Sequence, residues 1–76
     1  MTNSLTKKFG QKIKLIRFQK NISQEKLSEL SEISRSVMGK IERGEISTTL
    51  NSVEKISEAL NVNVKELFDF SDINKY

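Results

Sequence analysis

The chain contains no cysteine, so disulfides and thiolate metal sites are excluded. It contains no histidine either, which removes the commonest general base and the commonest metal ligand together. Proline is absent and glycine occurs only at Gly10, Gly39 and Gly44, so no stretch reads as a linker, a low-complexity tract or an internal repeat. No apolar run approaches the ~18 residues of a membrane span, and the N-terminus lacks the apolar stretch of a signal peptide. There is no glycine-rich phosphate loop, no H-E-x-x-H motif and no carboxylate pair on one apolar helical face. An enzyme is therefore not expected, nor a metal or cofactor. The expectation is a cytoplasmic protein with no membrane partner.

What remains is one small domain over residues 1–76. Hydrophobic residues make up 36% of it, enough for a single core. A chain of this length buries only ~60% of the surface that its unfolded form exposes, so a partner subunit would add stability it otherwise lacks. The net charge of +3 is modest, but it is unevenly spread. Residues 1–43 carry ten Lys or Arg against four acids, and residues 44–76 carry three against six. That division suggests a basic face for a polyanion and a more acidic end facing elsewhere. A solvated lysine-rich surface would account for the same charges.

Apolar residues recur with a helical period almost throughout, which predicts an all-α domain. Helix one is expected over about Thr6–Lys20, with Leu5, Phe9, Ile13 and Ile16 as its buried stripe and Asn21 ending it. Ser23 should cap a helix from Gln24 to about Leu30, and Ser34 a third from Arg35 to Arg43, stopped by Gly44. Thr48 or Thr49 should open a fourth helix carrying Leu50, Val53, Ile56, Ala59 and Leu60. Asn63 and Glu66 have the spacing of a capping box for a last short helix through Phe68. The tail from residue 69 to 76 has no clear assignment. Leu15, Phe18 and Ile22 form a second apolar stripe; tail residues Phe70, Ile73 and Tyr76, a second subunit, or plain exposure would each account for it.

The third helix carries the chemistry. At about 100° per residue, Arg35, Ser36, Gly39, Lys40 and Arg43 share one arc, while Val37, Met38 and Ile41 share the other, with Glu42 at its border. An interior glycine is about 1 kcal/mol less favourable than Ala in a helix. At the centre of a basic arc, its missing side chain would let the helix approach a groove closely. No acid within that arc pairs with the bases. Arg17 falls towards the buried side of helix one, and a buried charge needs a partner, so Arg17 and Glu42 are expected to form a structural ion pair. The competing assignment places Arg17 on the polyanion.

The run Ser23-Gln24-Glu25-Lys26-Leu27, then Ser34-Arg35-Ser36, then Lys40-Ile41-Glu42-Arg43-Gly44-Glu45, closely resembles the helix-turn-helix of the lambda-repressor-like (XRE) DNA-binding family. The resemblance extends from Phe9-Gly10 to Leu67-Phe68, about 60 of the 76 residues. It departs at Ser28, Glu32 and Thr48, where the family favours Ala, Gly and Pro. It implies a compact five-helix domain with the helix-turn-helix at about residues 24–43 and the third helix in the major groove of double-stranded DNA. It further implies base contacts from Arg35, Ser36 and Lys40, and phosphate contacts from Ser23, Gln24 and Arg43, with Gln24 also bracing the recognition helix. In that family the positions of Arg17 and Glu42 pair. The chemistry suits these roles: Arg offers a bidentate fork to guanine, and Ser and Gln suit phosphate oxygens. Ser34 is as well explained by capping alone.

The function implied is a transcriptional regulator acting as a homodimer on an inverted-repeat operator, with RNA polymerase a further partner. Small controllers of restriction–modification systems, phage or plasmid repressors and antitoxins all share these features. An antitoxin or co-regulator that works mainly through a protein partner is the alternative. RNA binding is disfavoured, because it calls for exposed aromatics and Phe9 and Phe68 fall at core or tail positions.

Overall fold

The computed structural model describes residues 4–73. Among them lie five helices and no strand: α1 (Ser4–Gln19), α2 (Gln24–Ser31), α3 (Arg35–Glu42), α4 (Leu50–Leu60) and α5 (Val64–Leu67). Polar side chains set three of the starts. Ser23, Ser34 and Thr49 have extended backbone and accept from the amides of Lys26 (3.0 Å), Val37 (3.2 Å) and Ser52 (3.1 Å). Each satisfies an amide that the first helical turn cannot.

The helix ends share one device. Left-handed residues follow α1, α2, α3 and α4: Asn21 (φ 58°), Glu32 (φ 60°), Gly44 (φ 73°) and Asn61 (φ 58°). The next amide in each case folds back onto a carbonyl of the last turn, Ile22 to Arg17, Ile33 to Ser28, Glu45 to Lys40 and Val62 to Ser57, at 2.9–3.2 Å. This closure normally places an apolar residue just beyond the left-handed one. Ile22, Ile33 and Val62 obey the rule; after α3 the position is Glu45.

Packing joins α1 to α3, α2 to α3 and α4, and α5 to both α1 and α4. Phe9, Ile13 and Ile16 of α1 meet Leu27, Met38, Ile41, Val53, Ile56, Leu60 and Leu67 in a single core. Two residues expected there lie outside it. Leu5 is 61% exposed and Leu50 84%, each in the first turn of its helix. Ala59 lies at the core edge. The expected capping box at Asn63 does not form: Asn63 makes no side-chain cap bond, and Glu66 turns instead to Lys12, 3.5 Å from Nζ.

Lys12 also ties down the tail, for which the sequence offered no assignment. Its buried Nζ donates to both Asp72 carboxylate oxygens, at 3.0 and 3.1 Å. Burial pulls the ammonium pKa down. The hydrogen bond and charge of Asp72, followed by Glu66, outweigh that and hold it above the ordinary 10.5. The clasp therefore contributes its stability fully below that ordinary value and loses it as pH rises through the higher folded one. Phe70 lies edge-on to Phe68. Of the second apolar stripe, Ile22 joins the core margin and Leu15 is half-buried. Phe18 stays exposed, with the Arg17 guanidinium 5.0 Å and Lys14 Nζ 6.0 Å from its ring centroid. Tyr76 lies outside the described residues.

Two faults coincide with departures from the family pattern. Glu32 is left-handed, a conformation roughly 1–2 kcal/mol unfavourable for a residue with a Cβ. Ser28 buries a hydroxyl with no hydrogen-bond partner among the described residues, which is destabilising by about 1–3 kcal/mol. Ser28→Ala and Glu32→Gly should each stabilise the domain by about 1 kcal/mol, raising its melting temperature by roughly 4–8 °C for a domain of this size. Thermal unfolding followed by circular dichroism measures both. A lower melting temperature for Ser28→Ala would mean that the hydroxyl has found a partner.

Candidate nucleic-acid interface

Three residues, Glu32, Ile33 and Ser34, separate α2 from α3. Ile33 is buried beneath this turn, so the two helices are fixed as one unit. α3 then divides sharply by environment. Met38, Ile41 and Glu42 are buried, while Arg35, Ser36 and Lys40 face solvent from the other arc. Val37, expected with the apolar side, is exposed as well. Nothing in the molecule engages Arg35, Ser36 or Lys40 through a side-chain hydrogen bond among the described residues. Ser23 and Ser34 are exposed, with their hydroxyls occupied as caps.

The inner side is braced by charge. Arg17 Nε and Nη2 donate to the two oxygens of Glu42 at 2.8 and 2.9 Å, with both residues only 7% exposed. Arg17 Nη1 donates to the Ile22 carbonyl at 3.1 Å. Gln24 Nε2 donates to the same carboxylate at 3.1 Å. One Glu42 side chain thus gathers groups from α1 and α2 onto α3, and Gln24 keeps a second amide N–H for another acceptor. The geometry requires the helices to be close. A Cβ at Gly10 would overlap the Ile41 carbonyl oxygen and lie 2.7 Å from that of Glu42. α1 lies backbone-to-backbone against the end of α3.

Gly39 does not leave an open notch. It is buried, and the atoms nearest to a Cβ built there all belong to the Arg43 guanidinium, with Nη1 at 3.0 Å. Arg43 folds back over Gly39 and donates through Nε to Glu45 Oε2 at 2.7 Å and through Nη2 to Oε1 at 3.4 Å. The basic arc therefore includes one acid that its own helix does not supply. The Arg43 hydrogen bond holds the Glu45 carboxyl below its ordinary value; partial burial opposes this, and the charges of Arg43, Lys40 and Lys7 reinforce it. Lys7 lies against Gly44, where an added Cβ would be 2.8 Å from its Cγ. Glu45 closes the run that carries the family resemblance, but nothing in the sequence pairs it with Arg43, and Lys7 lies more than thirty positions earlier. A further signal was an acid where a helix end usually places an apolar residue.

A second feature lies elsewhere. Leu5, Thr6, Phe9, Ser47, Thr48, Val53 and Phe68 line an apolar cleft of about 220 Å³, to which α2 and α3 contribute nothing. Phe9 and Phe68 stack in it at 5.1 Å. Among the described residues no acidic cluster could hold a metal ion, and no helix is long and apolar enough to cross a membrane.

Residues 13–67 match the helix-turn-helix family model. The control protein C.BamHI of Bacillus amyloliquefaciens is 46% identical over 74 residues, covering 96% of this chain and 91% of that protein. The control protein C.MunI of a Mycoplasma species is 36% identical, with 96% and 97% covered. Among solved structures, the restriction–modification controller C.Esp1396I superposes with a TM-score of 0.87 at 31% identity over 99% of both chains. The controller C.AhdI of Aeromonas hydrophila gives 0.81 at 40% identity, over 83% of this chain and 96% of that one. These relatives are regulators rather than enzymes. With its capped α2–turn–α3 unit and its end-to-end match to them, this chain belongs to the lambda-repressor-like helix-turn-helix family, among the small control proteins of restriction–modification systems.

Proposed function

We propose that this protein is a cytoplasmic transcriptional regulator that binds an inverted-repeat operator in duplex DNA as a homodimer, with α3 in the major groove. The observation that carries the reading is the division of α3. Its inner side is locked by Arg17, Glu42 and Gln24, and its outer side presents Arg35, Ser36 and Lys40 unengaged. Arg35 and Lys40 then read base edges with Ser36, while Gln24, Ser23 and Arg43 contact phosphates. The single domain over residues 1–76 is the reading module. RNA polymerase is the further partner, met wherever the operator adjoins a promoter.

Size supports the dimer. Successive major-groove faces lie roughly 34–36 Å apart, and the molecule measures 31 Å along its longest axis. A single copy therefore places one recognition helix in one groove. The apolar cleft lined by Leu5 and Phe9 of α1, Val53 of α4 and Phe68 after α5 is the seam this reading assigns to the second copy.

Selection of bound sequences from random duplexes tests the proposal. The expected product is an inverted repeat, bound by a protein that sediments as a dimer at micromolar concentration. Arg35→Ala and Lys40→Ala should each relax preference at their own base positions by about 1–3 kcal/mol, whereas Gln24→Ala should weaken all duplexes alike. Full retention of preference by Arg35→Ala would remove α3 from the groove.

A further inference from the structure

We propose that Glu45 holds the place of a backbone phosphate on Arg43 until DNA displaces it. The inference rests on the DNA-binding reading above and adds a control within it. Arg43 lies over Gly39, at the centre of the arc that faces DNA in that reading, and not at its rim. Both oxygens of the Glu45 carboxylate meet its guanidinium, at 2.7 and 3.4 Å, in the forked arrangement that a phosphate would also adopt.

Glu45 is held there by its own backbone. Its amide closes the end of α3 on the Lys40 carbonyl at 2.9 Å, and left-handed Gly44 turns the chain so that the carboxylate faces back along the helix. The other three helix ends of this kind fill the equivalent position with Ile or Val. Here an acid stands in that place, beside the bases of the reading face. The charges of Lys40 and Lys7 also favour the ionised carboxylate, while Arg43 alone meets it in an ion pair. The ion pair is exposed on both sides, which keeps it weak enough to exchange in water.

A phosphate arriving at Arg43 must evict Glu45, so the ion pair is lost before the new contact forms. Binding is weakened equally on every sequence, because the contact involves the DNA backbone and not base edges. The effect is to hold down non-specific binding while leaving base preference untouched.

The test is a double-variant cycle on the full chain, using the selected operator and a mixed-sequence duplex, titrated over a range of salt. Glu45→Gln should bind both duplexes roughly 2–5-fold more tightly, the range expected for releasing an exposed pair. Its slope of log K against log salt should stay that of the wild type, since the Arg43–phosphate contact forms in both complexes. In an Arg43→Gln background the same substitution should change neither affinity nor slope. A gain that persists without Arg43 would mean simple repulsion of DNA and would overturn the proposal. Weaker binding by Glu45→Gln would overturn it too, since Glu45 would then be positioning Arg43 for the contact. If the wild-type protein binds no duplex at any salt, the DNA reading itself fails; if it binds and the cycle shows no coupling, only the role of Glu45 fails. Both substitutions replace exposed side chains, and helicity by circular dichroism verifies that each variant is folded.

Discussion

Arg17→Ala should unfold most of the protein at room temperature. Removing the guanidinium strands the Glu42 carboxylate in the interior with Gln24 as its remaining donor, and breaking a buried pair in this way is destabilising by about 3–5 kcal/mol. A core in a chain of this size rarely supplies more than about 3–5 kcal/mol, so the loss is of the order of the whole stability. Glu42→Ala should be nearly as severe. It leaves Arg17 buried with only the Ile22 carbonyl and the face of Phe18. Replacing both by apolar residues of similar volume, Arg17→Met with Glu42→Leu, should recover much of the fold, because the desolvation penalty vanishes along with the attraction. Thermal melts of the two single variants and the double variant decide the matter. A stable Arg17→Ala protein that bound DNA with a shallower salt dependence would instead put Arg17 on the phosphate backbone.

Gly10→Ala should rival it. The new methyl would overlap the Ile41 carbonyl oxygen and stand 2.7 Å from the Glu42 oxygen and 3.0 Å from the Glu42 carbonyl carbon. All three are backbone atoms of α3, and no rotamer change moves them. Overpacking of a well-packed core is usually destabilising by about 1–3 kcal/mol, occasionally more, and this contact falls in the severe class because α1 must separate from α3. That separation also draws Arg17 away from Glu42, so the two losses are coupled. Gly39→Ala is the natural contrast. Its methyl would meet only the end of the flexible Arg43 side chain, so the fold should hold, with helix propensity favouring Ala by about 1 kcal/mol. Denaturant unfolding of the two variants should therefore shift in opposite directions. Equal destabilisation of both would contradict the backbone contact between α1 and α3.

The residues legible in the sequence were those whose behaviour is local. A short polar side chain such as Ser23 or Ser34 can reach an amide three residues on whatever surrounds it, so the starts of α2 and α3 could be read directly. Asn21 and Gly44 end their helices because the left-handed conformation is least strained for them. Periodicity likewise separated Met38 and Ile41 from Arg35, Ser36 and Lys40, since the helical repeat alone determines which residues share an arc.

Periodicity says which way a side chain points and not what lies there. Leu5 and Leu50 continue the apolar stripes of α1 and α4, yet both stay largely exposed in the first turn of their helices. The sequence placed Arg17 towards the inside of one helix and Glu42 at the border of another; their 2.8 Å contact depends on the approach of α1 to α3 that Gly10 permits. Glu66 had the spacing of a cap, but Lys12, more than fifty residues away in the chain, offered a buried ammonium that a local amide could not match. Long side chains made the remaining difference. Arg43 covers Gly39 and meets Glu45 because a flexible stem follows the strongest nearby charge, and only the tertiary structure decides which charges are near.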